Sequence, residues 1–391
     1  MGNQIVICLS NESYDAKIWT NKQHLMSRLS KHPNYDIMYI DQGMSSRYIR
    51  QAITEKNWKY FLRPLKKMGE GLTIFSPYFL PLIKGGRVKR WSWLLLFWFI
   101  KFYIKKIEYT KIIFWTYQPQ AWYLIKHVKK VPGTTILYDC VDEFATQPFY
   151  KNNENRTKEL LQIEALLTKK SDIVTTTSKA LCHDKIEINP NTHYIHNVGD
   201  FNHFKQPNGE LSSEEHLWLA DDRVKVLYAG VIDDYKTDLD LIYSIAKELK
   251  DSHLFVFIGP IRISDEKIFK KIDGQNNTLF IGTKPYLEIP NFLHNADLLW
   301  LPYSISTHTN RVFPLKLFEY LSTGKFILSR NLTSIEEYGK YISTFETIEQ
   351  AVLHLKQWPM SDSIIKKEQR IQLASKNTWE SRLENILKCI P

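Results

Sequence analysis

The feature that most constrains this chain is a pattern of short apolar runs, each followed by a helical stretch, that occurs twice in succession. In the first half, Ile5–Leu9, Ile37–Ile40, Lys111–Thr116, Thr135–Asp139 and Ile173–Thr177 read as strands, with helices expected at Ile18–Lys31, Ala121–Lys130 and Thr157–Lys170. The series restarts with strand Arg223–Gly230, helix Leu239–Lys250, strand Leu254–Pro260 and helix Glu266–Ile272. It continues through strand Thr278–Gly282, helix Ile289–Asn295, strand Asp297–Leu301, helix Leu315–Thr323 and strand Phe326–Ser329. Apolar strands joined by helices of this length specify parallel sheets covered on both faces, so the expected fold class is α/β with two doubly wound domains. The polar stretch Lys205–Glu215, carrying Pro and Gly and almost no apolar side chain, is the natural connection. The expected boundaries are 1–204 for the first domain, 205–222 for the linker, 223–362 for the second domain and 363–391 for a C-terminal helix returning to the first. On that helix Trp379 and Leu383 share an apolar stripe.

With 391 residues, 43% apolar and 24% charged, the chain has enough material for two cores and is excluded from the disordered and fibrous classes. The net charge of +10 is unevenly placed: residues 1–200 hold 29 Lys and Arg against 17 Asp and Glu, whereas residues 201–391 hold 23 against 25. Such asymmetry points the first domain toward an anionic partner, a nucleic acid, a phospholipid surface or a phosphorylated substrate. From Arg87 to Lys106 six basic residues (Arg87, Lys89, Arg90, Lys101, Lys105, Lys106) and no acidic one flank an apolar block that includes Trp91, Trp93 and Trp98. That combination fits an interfacial helix among anionic headgroups; a buried helix whose Lys and Arg stems reach solvent is the plainer reading. The block is too short and interrupted to span a bilayer. No helix-turn-helix, RNP or zinc-finger signature accompanies it, so nucleic acid is not an expected partner. The amino terminus runs directly into Ile5–Leu9 with no secretory pattern, and Cys8, Cys140, Cys182 and Cys389 form no C-x-x-C pair, so a reducing cytoplasmic setting is expected.

Several chemistries lack their residues. No G-x-G-x-x-G follows either first strand, and G-x-x-x-x-G-K-[ST], H-E-x-x-H and G-x-S-x-G are all absent, which disfavours dinucleotide oxidoreductases, P-loop enzymes, metal hydrolases and serine hydrolases. No metal site is expected. The most specific segment is Ala296–Tyr303 followed by Pro314–Lys325. There a strand ends in Pro, a polar loop follows, and a helix opens at Pro314, where a missing N–H costs nothing. Lys316 and Glu319 share one helix face. The helix amino end offers N–H groups to a diphosphate, Lys316 adds a point charge, and Glu319 can accept from two ribose hydroxyls. Standing alone, the same pair would read as a surface ion pair.

The pair does not stand alone. With Trp19 and Lys22–His24, Tyr138–Phe144, Asp172–Ser178, His196–Phe204, Tyr228–Gly230, Phe280–Tyr286, Pro314–Gly324 and Trp379–Arg382 in this order, the chain resembles the nucleotide-sugar glycosyltransferases of the GT-B fold. These have two Rossmann-like domains facing across a cleft. More closely, the chain is similar to the bacterial surface-polysaccharide branch that includes teichuronic-acid and glucuronosyl transferases. The resemblance implies a sugar transferase with no resident cofactor. Its donor would be a nucleotide sugar, UDP-linked, held in the second domain by Lys316, Glu319 and the Gly230 turn, with Lys284 and Tyr286 near the base. Its acceptor would be a lipid-linked or growing glycan met at the inner face of the cell membrane. Asp142 matches an Asp that faces the sugar in the family and is the candidate general base. A structural or helix-capping Asp is the competing reading, and Asp139 and Glu143 are alternative bases. Retaining members commonly carry a glutamate eight residues before the position of Glu319, where this chain has Arg311. Arg311 could hold the diphosphate but cannot serve as that carboxylate, which favours inversion. A noncatalytic membrane-associated scaffold of a polysaccharide assembly complex and a GT-B epimerase remain open alternatives.

Overall fold

The structure, a computed structural model, describes residues 4–16, 19–41, 65–77, 86–106, 109–128, 133–211 and 215–391. The chain divides into two compact units, one of residues 1–195 with 383–391 and one of residues 196–382.

In the first unit the described strands are β1 (Gln4–Leu9), β2 (Tyr35–Ile40), β3 (Leu65–Lys67), β4 (Leu72–Phe75), β5 (Lys111–Thr116), β6 (Thr134–Cys140), β7 (Ile173–Thr176) and β8 (Thr192–Tyr194). They form one sheet in the order β3-β4-β2-β1-β5-β6-β7-β8, parallel throughout except for the β3–β4 pair. The fully apolar runs lie at its centre: Ile5 to Leu9 are all buried, as covered parallel strands require. Helix α1 (Asn21–Leu29) starts at Thr20, whose side chain and that of Gln23 form a reciprocal capping box, later than the expected Ile18; Ile18 lies outside the described residues. The basic aromatic segment is helix α2 (Gly86–Lys106), which sends Trp93, Leu96 and Ile100 into this unit's core. The expected helix at Ala121–Lys130 is shorter. A single turn at Trp122–Ile125 follows a 3-10 turn at Pro119–Ala121, and i→i−3 hydrogen bonds at His127 and Val128 end it; Lys129 and Lys130 lie outside the described residues. Helix α3 (Glu154–Lys170) begins a turn early because the Asn153 side chain caps it by accepting from the Arg156 N–H.

The second unit holds β9 (Val224–Ala229), β10 (Ile232–Asp233), β11 (His253–Ile258), β12 (Ile261–Arg262), β13 (Thr278–Gly282), β14 (Leu298–Leu301), β15 (Phe326–Arg330) and β16 (Ser343–Phe345). Among the described residues six of these make an all-parallel sheet, β13-β11-β9-β14-β15-β16, and β10 pairs with β12 apart from it. Helix α4 (Leu239–Glu248) follows β9, and helix α5 (Lys316–Thr323) follows β14. Chain order thus reverses between β9 and β14, which opens a crevice at their carboxyl ends.

The expected break at 204/205 lies nine residues earlier, at Ile195/His196. The reason is packing: Phe204 is in the second unit's core, His196 stacks on Phe318, and the Asn197 amide donates to the Phe313 carbonyl at 2.9 Å. The tail expected as one returning helix is two, α6 (Ile364–Lys376) and α7 (Trp379–Lys388), broken where the Ser381 hydroxyl accepts from the Thr378 N–H. Helix α6 stays with the second unit because the buried Arg370 guanidinium donates twice to the Gly324 carbonyl and pairs with Asp362 at 2.6 Å. Only Leu383–Pro391 group with the first unit.

Candidate functional site

Strand β9 ends at Ala229-Gly230, and the first residue of α5 comes back over it. A Cβ at position 230 would fall 1.9 Å from Lys316 Cε and 2.4 Å from its Nζ, so only glycine lets the lysine lie flat against this turn. The ammonium sits 5.6 Å from the Tyr228 ring centroid. Beneath it Gly259 gives the turn room: a Cβ there would meet the Gly230 carbonyl oxygen at 2.0 Å. The Ala229 N–H donates to the Tyr320 hydroxyl at 2.8 Å, tying the second turn of α5 to the strand end. No side chain caps the amino end of α5. Its first N–H groups are the donors an anion needs, with the helix dipole and Lys316 adding positive potential.

Glu319 lies one turn along α5, half-buried. Burial raises its pKa, the Lys316 ammonium pulls it back, and the neighbouring Asp200 raises it further. Asp200 is held by its own local role, since its side chain accepts from the His203 N–H at 3.4 Å at the start of the Phe201–Phe204 turn. The whole stretch before it is pressed onto α5: a Cβ on Gly199 would come within 2.9 Å of the Phe318 carbonyl carbon, and the His196 ring stacks on Phe318 at 5.3 Å and 15°. Asp200 and His203 belong to the quoted His196–Phe204 stretch, but nothing in their spacing marked them as neighbours of the Glu319 and Tyr286 positions.

The other expected donor-side residues fall in two places. Lys284 and Tyr286 follow β13. The Tyr286 ring stacks on His203 at 4.3 Å and 16°, the His203 Nε2–H donates to the Tyr286 carbonyl at 3.0 Å, and Lys284 Nζ lies 5.6 Å from the Phe292 ring centroid. Arg311 is the last residue of the short helix Thr307–Arg311 and is half-buried. The structure therefore brings Gly230, Lys316 and Glu319 together, and gathers Lys284 and Tyr286 around His203 and Phe292.

In the first unit Asp142 follows β6, half-buried, with one carboxylate oxygen accepting from the Gln147 amide at 2.7 Å. Asp139 is fully buried within β6 and accepts from Thr175 Oγ1 at 2.9 Å, a bond that ties β6 to β7. Glu143 begins the 3-10 turn Phe144–Thr146, its carbonyl accepting from the Thr146 hydroxyl. A feature not read from sequence lies at the carboxyl end of β1: the buried Lys22 ammonium pairs with Glu12 at 3.1 Å, and Thr20 Oγ1 donates to the same carboxylate at 2.6 Å. Burial opposes the charge on Glu12, but Lys22 and hydrogen bonds from Thr20, Lys22 and Gln23 hold its pKa below the ordinary carboxylate value. Among the described residues there is no group of three His, Cys, Asp or Glu placed to hold a metal ion, and no helix is long and apolar enough to cross a membrane.

These two units have counterparts. Residues 212–347 match the family described as Glycosyl transferases group 1. A Bacillus subtilis protein named for a glycosyltransferase of teichuronic acid biosynthesis, TuaH, is 24% identical over 266 residues, covering 65% of this chain and 66% of its own length. Sucrose-phosphate synthase from Thermosynechococcus elongatus superposes with a TM-score of 0.71 at 10% identity, over 98% of this chain and 97% of that one. Anabaena HepE, solved in complex with UDP, superposes with a TM-score of 0.66 at 12% identity over 99% of each chain. The fold is that of the GT-B glycosyltransferases, two Rossmann-like α/β units. Within it the match to the glycosyl transferases group 1 family falls in the second unit.

Proposed function

We propose that this protein is a metal-independent hexosyltransferase of cell-surface polysaccharide biosynthesis. It takes a sugar from a UDP-sugar and gives it, with inversion, to a lipid-linked or growing glycan at the inner face of the cell membrane. The observation that carries this reading is Lys316 laid on the Gly230 turn at the uncapped start of α5, with Glu319 one turn further on the same face. A nucleoside diphosphate needs these groups: N–H donors and a cation at the phosphates, and a carboxylate to accept from the ribose diol. The names of similar proteins support it, one for teichuronic acid biosynthesis and one for a complex with UDP.

In the reaction the acceptor hydroxyl oxygen forms a bond to the anomeric carbon while the bond from that carbon to the diphosphate oxygen breaks. Asp142 takes the hydroxyl proton, and the departing UDP carries away the bonding electron pair. Lys316 and the α5 amino end oppose the charge that grows on the diphosphate, so they stabilise the transition state more than the bound donor. Arg311 assists with the same charge, while Lys284 and Tyr286 serve the base. Calorimetry of UDP-, GDP- and dTDP-sugars, followed by NMR of the product anomer on a lipid-pyrophosphate-linked acceptor, tests the reading. UDP-sugar binding and an inverted product are expected; no binding of any nucleotide sugar overturns it.

A further inference from the structure

Helix α2 carries two apolar stripes. Trp93, Leu96 and Ile100 face the first unit's core, whereas Leu95, Trp98 and Phe102 are 62%, 55% and 73% exposed. Each set is spaced i, i+3, i+7 and so forms a single face, and an offset of two residues puts the faces about 200° apart around the helix. A surface helix normally turns its second face to water with polar side chains. Here that face presents a Trp, a Phe and a Leu together, the kind of patch that soluble surfaces reserve for contact. Exposed Lys101 and Lys105 accompany it, with Lys101 Nζ 4.7 Å from the Trp98 ring centroid. The side chains of Arg87, Lys89, Arg90, Trp91 and Lys106 lie outside the described residues, but no acidic residue occurs anywhere between 86 and 106.

We infer that the Leu95–Trp98–Phe102 face of α2 is the membrane-docking surface of the protein. It lies in the headgroup layer of an anionic bilayer with the helix axis parallel to the plane. This deepens, and rests on, the reading of the protein as a membrane-side transferase. Apolar exposure alone would suit a protein groove equally well. Charge decides the occupant: lysines bordering aromatic rings, with no carboxylate among them, match phosphate headgroups above acyl chains. The buried stripe fixes the orientation, because Trp93, Leu96 and Ile100 cannot leave the core for the helix to tip across the bilayer. The excess positive charge of residues 1–200 extends the same preference over the rest of that unit.

The test is co-sedimentation of the full chain with vesicles of phosphatidylglycerol and phosphatidylcholine, against phosphatidylcholine alone, at low and high salt. Selective binding to the anionic vesicles, weakened by salt, is expected. Replacing Leu95, Trp98 and Phe102 together by Ser should lower partitioning by about tenfold or more, and Lys101→Gln with Lys105→Gln by a smaller, salt-sensitive factor. Donor affinity measured by calorimetry should stay at the wild-type value in both variants, showing that they fold. The inference is overturned if the wild type stays in solution, if it binds neutral vesicles equally, or if the triple variant sediments like wild type. Concentration-dependent self-association abolished by the triple substitution, without vesicle binding, reassigns the face to a second copy and overturns it too. Vesicle binding with no affinity for any nucleotide sugar leaves the docking surface standing and removes the transferase reading.

Discussion

Each unit brings a lysine near the end of its first strand, Lys22 from α1, which follows β1, and Lys316 from α5, which follows β14, and surrounds it differently. At β1 the Lys22 ammonium is buried against Glu12, and Thr20 and Gln23 complete the arrangement. At β9 the Lys316 ammonium lies on a glycine turn beside the Tyr228 ring, and Glu319, one turn along the same helix, feels its charge. One unit therefore holds its lysine in a buried ion pair, whereas the other lays its lysine on a turn that only glycine leaves open. The difference resides in what faces the lysine: a carboxylate in direct contact neutralises the charge within the fold, whereas on the proposed reading the glycine turn leaves room for a ligand's phosphates.

The largest effect that would sharpen this contrast is expected in the first unit away from Lys22. Asp142→Asn should lower kcat by about 10³-fold while donor affinity by calorimetry is unchanged, since a general base typically contributes 10²–10⁴-fold. A parallel loss of nucleotide affinity would make Asp142 a donor-site residue instead. Next, Lys316→Ala should lower kcat by about 10²-fold at saturating donor as well as weakening donor binding, because the charge it opposes grows as the bond breaks. Normal turnover in this variant would erase the contrast between the two lysines. Glu319→Ala should act on binding, weakening UDP by about 1.5–3 kcal/mol with kcat at saturating donor near wild type, because the ribose does not change during reaction.

The smallest effect tests the Lys22–Glu12 pair. Glu12→Gln leaves Lys22 buried without its counter-charge and should cost about 1–2 kcal/mol in urea unfolding, discounted from the fully buried case because Glu12 is 34% exposed. Since the Glu12 pKa is lowered in the folded state, its contribution is fully present above the unfolded carboxylate value and is lost as pH falls through the lower folded one. The wild-type and Glu12→Gln stabilities should therefore converge in acid and separate toward neutral pH. Donor affinity should be indifferent to this substitution; a drop would mean that Lys22 is not confined to structure.

How far the sequence announced all this depends on the range of the interactions involved. The central strands were legible because their burial is written as continuous apolar runs; His253–Ile258 is buried along its whole length and was read within one or two residues at each end. Three-residue strands such as β3, β8 and β16 have no room for a period and went unread. The polar stretch at 205–215 resembled a linker by composition, whereas the boundary at 195/196 is set by His196 and Asn197 reaching Phe313 and Phe318 far along the chain. At the candidate site, the spacing of Lys316 and Glu319 on one helix face was local and visible. The placement of Lys316 on Gly230, the approach of Asp200 to Glu319 and the Tyr286–His203 stack are long-range contacts, which no local pattern encodes.

The hydrogen bond from the Ala229 N–H to the Tyr320 hydroxyl sets an angular tolerance. Helix α5 is held on opposite sides, by Tyr320 against β9 and by Phe318 under His196 and Gly199, so it cannot roll about its axis without breaking one contact or the other. A lysine ammonium stands roughly 8 Å from a helix axis, so a roll of about 10° would carry it more than about 1 Å sideways. Displacements of that size can cost on the order of a hundredfold in rate where a group must meet a transferring bond. A phenol one turn away thus limits how far α5 can roll and so bears on the aim of Lys316.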